Sequence, residues 1–219
     1  MNKKIIIGII LVIIIIAIVV GIIIINNSNS SNETYSTDIG KTLVAYFSLP
    51  ETTGEAMEDS TITVNGVTLG NTQYVANLIQ EHTGADIFRI EPIKEYNVSD
   101  HQALIDDAKE EQNNNTRPEI KDTIDNFNDY DTIFIGYPIW WSDLPQILYT
   151  FLESYDFSGK NVYLFSTNGG SGLSGTVSTI TDKLSSANVN SNAFKVYREN
   201  MEEAPGELET WLKEIGVIK

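Results

Sequence analysis

Hydrophobic positions along this chain form one long run followed by a series of short ones. From Ile5 to Ile25 every residue is apolar or glycine, a length that crosses a bilayer as a single helix. Lys3 and Lys4 precede the run and no small-residue cleavage pattern follows it, so it reads as an uncleaved anchor over residues 1–26 rather than a signal peptide. Lysines before the span, with Asn26, Asn27 and acidic residues after it, predict a cytoplasmic amino terminus. A single-pass protein of the cell membrane with an extracytoplasmic globular part follows. Residues 27–40 are rich in Asn, Ser and Thr and predict a flexible linker.

From Lys41 to the carboxyl terminus the short runs alternate between strand-like and helix-like spacing. Compact apolar segments predict strands at Leu43–Phe47, Asp86–Ile90, Ile133–Tyr137, Asn161–Ser166 and Ala193–Tyr197. The third of these must stop at Pro138, which cannot continue a central ladder. Between the strands, three- and four-residue spacing predicts helices at Asn71–Thr83, Ser99–Gln112, Leu144–Ser154, Gly175–Leu184 and Glu207–Ile215. Strand and helix in alternation predict one parallel α/β sheet with helices on both faces. Residues 49–69 interrupt this order. Within them Ile62, Val64, Val67 and Leu69 alternate around Asn65-Gly66, the signature of a hairpin, here a lid or a docking surface.

Charge narrows the classes of partner. The chain carries 14 basic and 30 acidic residues, a net charge of −16. Nucleic acid is excluded, because phosphate contact needs clustered Lys and Arg. Acidic surface serves solubility, or steers a partner with a basic docking face. No cysteine is present, which removes disulfides, thiolate metal sites and a lipid-modified cysteine. No metal site is expected.

In an open parallel sheet, ligands bind beyond the carboxyl ends of the strands. Three loops there have unusual chemistry. Ser48 ends the first strand, and Gly70-Asn71-Thr72 opens the next helix, as an ordinary cap or as an anion cradle of amides and hydroxyls. Thr52-Thr53-Gly54 imitates such a cradle, but only Gly70-Asn71-Thr72 leads straight into an amphipathic helix. Neither loop carries a P-loop lysine, which disfavours a nucleoside triphosphate. Pro138-Ile139-Trp140-Trp141 follows the third strand, either capping the core or walling a ligand. Thr167-Asn168-Gly169-Gly170-Ser171-Gly172 follows the fourth; its glycines permit close approach of a flat group and leave amides to donate. Together these loops suit a planar heteroaromatic phosphomonoester, with FMN the leading candidate.

The segments Leu43–Ser48, Gly70-Asn71-Thr72, Gly136-Tyr137-Pro138-Ile139-Trp140-Trp141 and Gly169–Gly172 resemble the flavodoxin family, in the branch with a Gly-Tyr-Pro-x-Trp-Trp loop. The likeness spans Lys41 to the end of the chain. It implies a flavodoxin-like five-stranded parallel sheet in the order 2-1-3-4-5 with FMN at the switch point. By that resemblance Ser48, Gly70, Asn71 and Thr72 hold the phosphate. Pro138, Ile139, Trp140 and Trp141 border the isoalloxazine, and Thr167, Asn168, Gly169, Gly170 and Gly172 close its other side. The 49–69 insertion splits a phosphate loop that the family keeps short.

Such a cofactor carries the redox chemistry while the protein supplies position and electrostatics. No acid or base stands out in the three loops, so no catalytic residue is assigned. His82 and His101 fall on helices away from the strand ends and read as surface residues. Acidic charge near the ring predicts a lowered potential for the last electron, which suits a one-electron donor. The expected role is a membrane-anchored electron-transfer protein. An NAD(P)H-dependent quinone or flavin oxidoreductase acting on a small quinone or nicotinamide is the enzyme alternative. A flavin-free binding module on the same fold is the third.

Overall fold

β-Branched and aromatic residues build the strands at the middle of the molecule. The structure, a computed structural model, describes residues 39–49, 60–98 and 100–219. The expected anchor, nearly all of the linker and Thr52-Thr53-Gly54 lie outside the described residues. Among the described residues no helix is long and apolar enough to cross a membrane.

The strands are β1 (Thr42–Tyr46), β2 (Thr61–Val64), β3 (Val67–Gly70), β4 (Asp86–Arg89), β5 (Thr132–Pro138), β6 (Asn161–Asn168), β7 (Asn188–Val189) and β8 (Phe194–Tyr197). The helices are α1 (Asn71–Thr83), α2 (His101–Asn114), α3 (Gln146–Ser154), α4 (Thr176–Lys183) and α5 (Ala204–Glu214). The main sheet is parallel, in the order β4-β1-β5-β6, with β7 and β8 both pairing β6. Its central strands are covered on both faces, hence their unbroken apolar runs. Leu43, Ala45 and Phe47 of the first run face a core shared with Leu104, Ile147, Leu148, Phe151 and Ile180, from α2, α3 and α4. Val44 and Tyr46 face the opposite core, with Val75 and Ile79 of α1 and Leu208 and Leu212 of α5.

The α/β class and the order 2-1-3-4-5 are as expected, with two differences in detail. The fifth position is filled by two short strands rather than one. β7 pairs only Asn161 and Val162, and β8 pairs Phe165 to Asn168. Between them the Asn190 side chain accepts from the Asn192 amide at 2.8 Å, a local bond that competes with the ladder and breaks it. α5 begins at Ala204, three residues before the expected Glu207, because Pro205 occupies its first turn, where a missing N–H costs nothing.

The insertion folds as expected into a hairpin, β2 against β3. Asn65 and Gly66 both take positive φ, 52° and 78°, the geometry of a two-residue turn that matches strand twist. Glycine at 136 has a packing cause. A Cβ there would fall 2.1 Å from the Phe165 ring, so the strand that leads to the Trp-Trp loop admits no side chain at this point.

Candidate functional site

The carboxyl ends of β5, β6 and β8 and the first turn of α1 surround a cleft of about 250 Å³. One wall is the loop after β5: Pro138, Ile139, Trp140 and Trp141. The ladder runs past the proline, since the Ile139 amide donates to the Thr167 carbonyl at 3.0 Å. Trp140 and Asp143 then exchange paired backbone bonds at 3.0 and 2.9 Å, closing a tight turn over Trp141 and Ser142. The half-buried Trp140 ring meets Phe47 edge-on at 5.3 Å and Tyr96 at 5.5 Å. It is therefore core and wall at once. Trp141 is 48 % exposed. Its indole N–H donates to the Ile105 carbonyl at 3.1 Å, and Lys109 Nζ lies 4.9 Å above its ring.

At the first turn of α1, Gly70 is extended and no side chain caps the helix; the turn holds no acidic residue. The helix itself thus brings no acidic side chain to its positive end. Asn71 lines the cleft. Thr72 is buried behind it, and its hydroxyl shares a 2.8 Å hydrogen bond with that of Thr167, joining α1 to the end of β6. Hairpin register places Ser60 in the same lining, because Thr61 pairs with Gly70.

The loop after β6 corrects one expectation. Asn168 Oδ1 accepts from the amides of Gly170 and Gly172 at 2.9 and 3.1 Å. Those two amides turn inward to build the loop instead of facing a ligand, and the positive φ values of Gly170 and Gly172, 112° and 60°, permit it. Thr167, Asn168 and Gly169 line the cleft, whereas Gly170 and Gly172 do not. Ser48 is also elsewhere. It is buried, its carbonyl accepts from Arg89 at 3.1 Å, and it borders a neighbouring depression with Arg89 and Tyr96.

Three contributions escaped the sequence reading. His101, Leu104, Ile105 and Ala108 of α2 also line the cleft, beside the Trp141 indole that donates to Ile105, so His101 lies at the cleft and not on a remote surface. Their spacing is a helical stripe, legible in principle in the sequence. Arg198 lines the cleft one residue past the end of β8, a position the strand-end rule singles out. Ser60 needed the hairpin register.

No described residue that lines the cleft is Asp or Glu, although the chain as a whole is strongly acidic. Nearby phenols are no better as proton donors or bases. Burial pushes Tyr137 up to about 12, and it shares a 3.0 Å bond with Thr176. Burial also raises Tyr96, whose hydroxyl donates to Glu111 at 2.9 Å. Among the described residues no group of His, Asp and Glu is placed to hold a metal. The arrangement can hold an anion at α1, Asn71 and Thr167, and a flat apolar group against the tryptophan loop and the apolar stripe of α2.

Comparison with known proteins agrees with this geometry. Residues 60–215 match the flavodoxin family. The fold is similar to that of a protein assigned as a flavoprotein from Bacteroides eggerthii: 28 % identity, TM-score 0.60, covering 81 % of this chain and 98 % of that one. A Bacteroides uniformis counterpart gives 28 % identity and TM-score 0.57 over 78 % of this chain and 98 % of its own. A Lactobacillus acidophilus flavoprotein, solved in complex with FMN, shares the fold at 22 % identity and TM-score 0.53, covering 78 % of this chain and 98 % of that one. Comparison with curated proteins gives no match. With the family matched over most of its length and the sheet, helices and cleft in place, the chain belongs to the flavodoxin family.

Proposed function

We propose that this protein binds FMN non-covalently in the cleft and transfers electrons at a membrane. One observation carries the reading. An uncapped helix start and hydroxyl and amide donors meet an aromatic wall, with no carboxylate among the described lining residues. That donor set fits a phosphate, and the walls fit a ring system. The family and the FMN complex of the Lactobacillus relative point the same way.

In this reading the amides of the first α1 turn, Asn71 and Thr167 hold the phosphate. Trp140, Trp141, Pro138 and Ile139 wall the ring and exclude water, together with Leu104, Ile105 and Ala108. Asn168 keeps the glycine loop in shape. FMN supplies the reversible electron uptake when bound. The residues before Lys41 anchor the domain to the membrane with its globular part outside the cytoplasm, and the acidic surface docks a redox partner with a basic face.

The test is FMN titration of the full chain, followed by flavin fluorescence and absorbance. Binding at one FMN per chain is expected, and a colourless protein that ignores added FMN refutes the proposal. Turnover of NADPH with a quinone, without added reductase, would move the assignment to the oxidoreductase.

A further inference from the structure

Trp141 and Ser142 both hold positive φ, 49° and 59°, a backbone conformation that neither residue type prefers. The turn must therefore be held from outside, and α2 holds it at three points. Gln112 Nε2 donates to the Trp141 carbonyl at 3.2 Å. The Trp141 indole N–H donates to the Ile105 carbonyl at 3.1 Å, and Lys109 Nζ lies 4.9 Å from the centre of the same ring. Ile105, Lys109 and Gln112 follow one another at four- and three-residue spacing, so they form one ridge along the helix. Lys109 Nζ also donates to Gln112 Oε1 at 2.8 Å. That bond occupies the amide oxygen and leaves the NH2 group for the turn. Trp141 and Ile105 line the cleft, whereas Lys109 and Gln112 stand behind it.

We infer that Gln112 is a positioning residue: oriented by Lys109, it holds the Trp141–Ser142 turn in the form the cleft wall requires before any ligand arrives. This rests on the FMN reading and goes beyond it, because Gln112 acts through Trp141 without lining the cleft. Two ordinary residues in left-handed backbone store strain that surrounding contacts must offset, so the clamp has little surplus. A released turn relaxes toward negative φ and carries the indole off the wall. FMN then meets only the fraction of molecules in which the turn is set, and its apparent affinity falls by that fraction. One neutral hydrogen bond is enough to change such a population roughly fivefold. The loss falls on association, since a bound ring keeps the turn set and leaves as before.

The experiment measures FMN association and dissociation by stopped flow for the full chain, for Gln112→Ala and Gln112→Glu, and for Gln112→Ala combined with Ser142→Gly. Gln112→Glu keeps the shape of the side chain but turns an acceptor toward the Trp141 carbonyl. Both single variants should bind FMN about fivefold more slowly, with dissociation within about twofold of the parent. Glycine takes positive φ without strain, so the combined variant should recover most of the lost rate. In the chain without FMN, the Trp141 indole N–H should exchange with solvent about fivefold faster in Gln112→Ala, read by NMR. Unchanged association in both single variants overturns the inference, and so does a loss confined to dissociation, which would put Gln112 in contact with the ligand. No recovery in the combined variant overturns it too, by showing that Gln112 does not oppose strain. A parent that ignores FMN sinks the cofactor reading alone, because indole exchange still tests the clamp: an unchanged exchange rate refutes it.

Discussion

Two turns of this chain share one backbone conformation and have opposite origins. In the hairpin, Asn65 and Gly66 take φ of 52° and 78°; in the loop after β5, Trp141 and Ser142 take 49° and 59°. Asn-Gly is the pair that prefers this geometry, so the hairpin turn is dictated locally. Trp-Ser has no such preference, and left-handed backbone costs an ordinary residue roughly 1–2 kcal/mol. Tertiary contacts impose the second turn. Gln112 donates to the Trp141 carbonyl at 3.2 Å and the indole donates to Ile105, both on α2. Behind the turn, Asp143 Oδ1 accepts from the Leu144 amide at 2.8 Å and the Tyr149 hydroxyl at 2.9 Å. Strain held by surrounding structure is typical of functional segments, and here it lies in the cleft wall and not in the hairpin tip.

The sharpest break of this comparison is to remove the aromatic rings of the imposed turn one at a time. Trp140→Ala takes away the edge-on contacts with Phe47 and Tyr96 and should cost about 2–3 kcal/mol of stability, below the range for a fully buried tryptophan. Trp141→Ala removes a ring already half in solvent and should cost under about 1 kcal/mol, while weakening FMN about tenfold through the lost wall. Urea denaturation paired with FMN titration separates the two effects. Equal stability losses in both variants would show that Trp140 is not the residue joining core to cleft.

The same contrast explains what was legible in advance. α1 over Asn71–Thr83 follows from its spacing and from Gly84, which takes φ of 68° at the helix end. The hairpin follows from Asn65-Gly66. Each is a local preference carried by the residues themselves. Features set by distant partners were hidden. The inward turn of the Gly170 and Gly172 amides depends on which way Asn168 points, and the part of the cleft lined by α2 depends on how that helix lies over the sheet. Arg198 shows a middle case: its place after β8 was readable, but its contact with Gly169 was not.

A gentler probe asks how much strain the imposed turn holds. Ser142→Gly relieves a positive φ at an exposed position, and should stabilise the fold by about 0.5–1 kcal/mol after the extra freedom of glycine in the unfolded chain is subtracted. Gly66→Ala imposes that strain where nothing lies within 4 Å of the new Cβ, and should destabilise by about 1 kcal/mol. The two changes should move the urea midpoint in opposite directions with unchanged slope. A midpoint that does not rise in Ser142→Gly would mean that the Trp-Ser turn is relaxed.

The smallest effect concerns the helices that hold the turn, and it has a sign that differs between them. Behind α3, Glu153 accepts from Arg117 at 2.9 and 3.2 Å and from Lys183 at 2.6 Å, and these two cations hold its carboxyl below the usual range. A depressed pKa contributes stability above the unfolded value, near 4.3, that is lost as pH falls through the folded value. With the Glu153 side chain 42 % exposed, solvent screening keeps this contribution under about 1 kcal/mol. On α2, burial raises Glu111, the acceptor for Tyr96 beside Trp140. A raised pKa works in reverse: its contribution is complete below the unfolded value and fades as pH rises through the folded one. Glu153→Gln should therefore narrow its gap to the parent on acidification toward pH 4, while Glu111→Gln, which removes the cost of a buried charge, should gain most relative to the parent at neutral pH. Parallel pH profiles for the two variants would show that α2 and α3 do not grip the turn through opposite electrostatics.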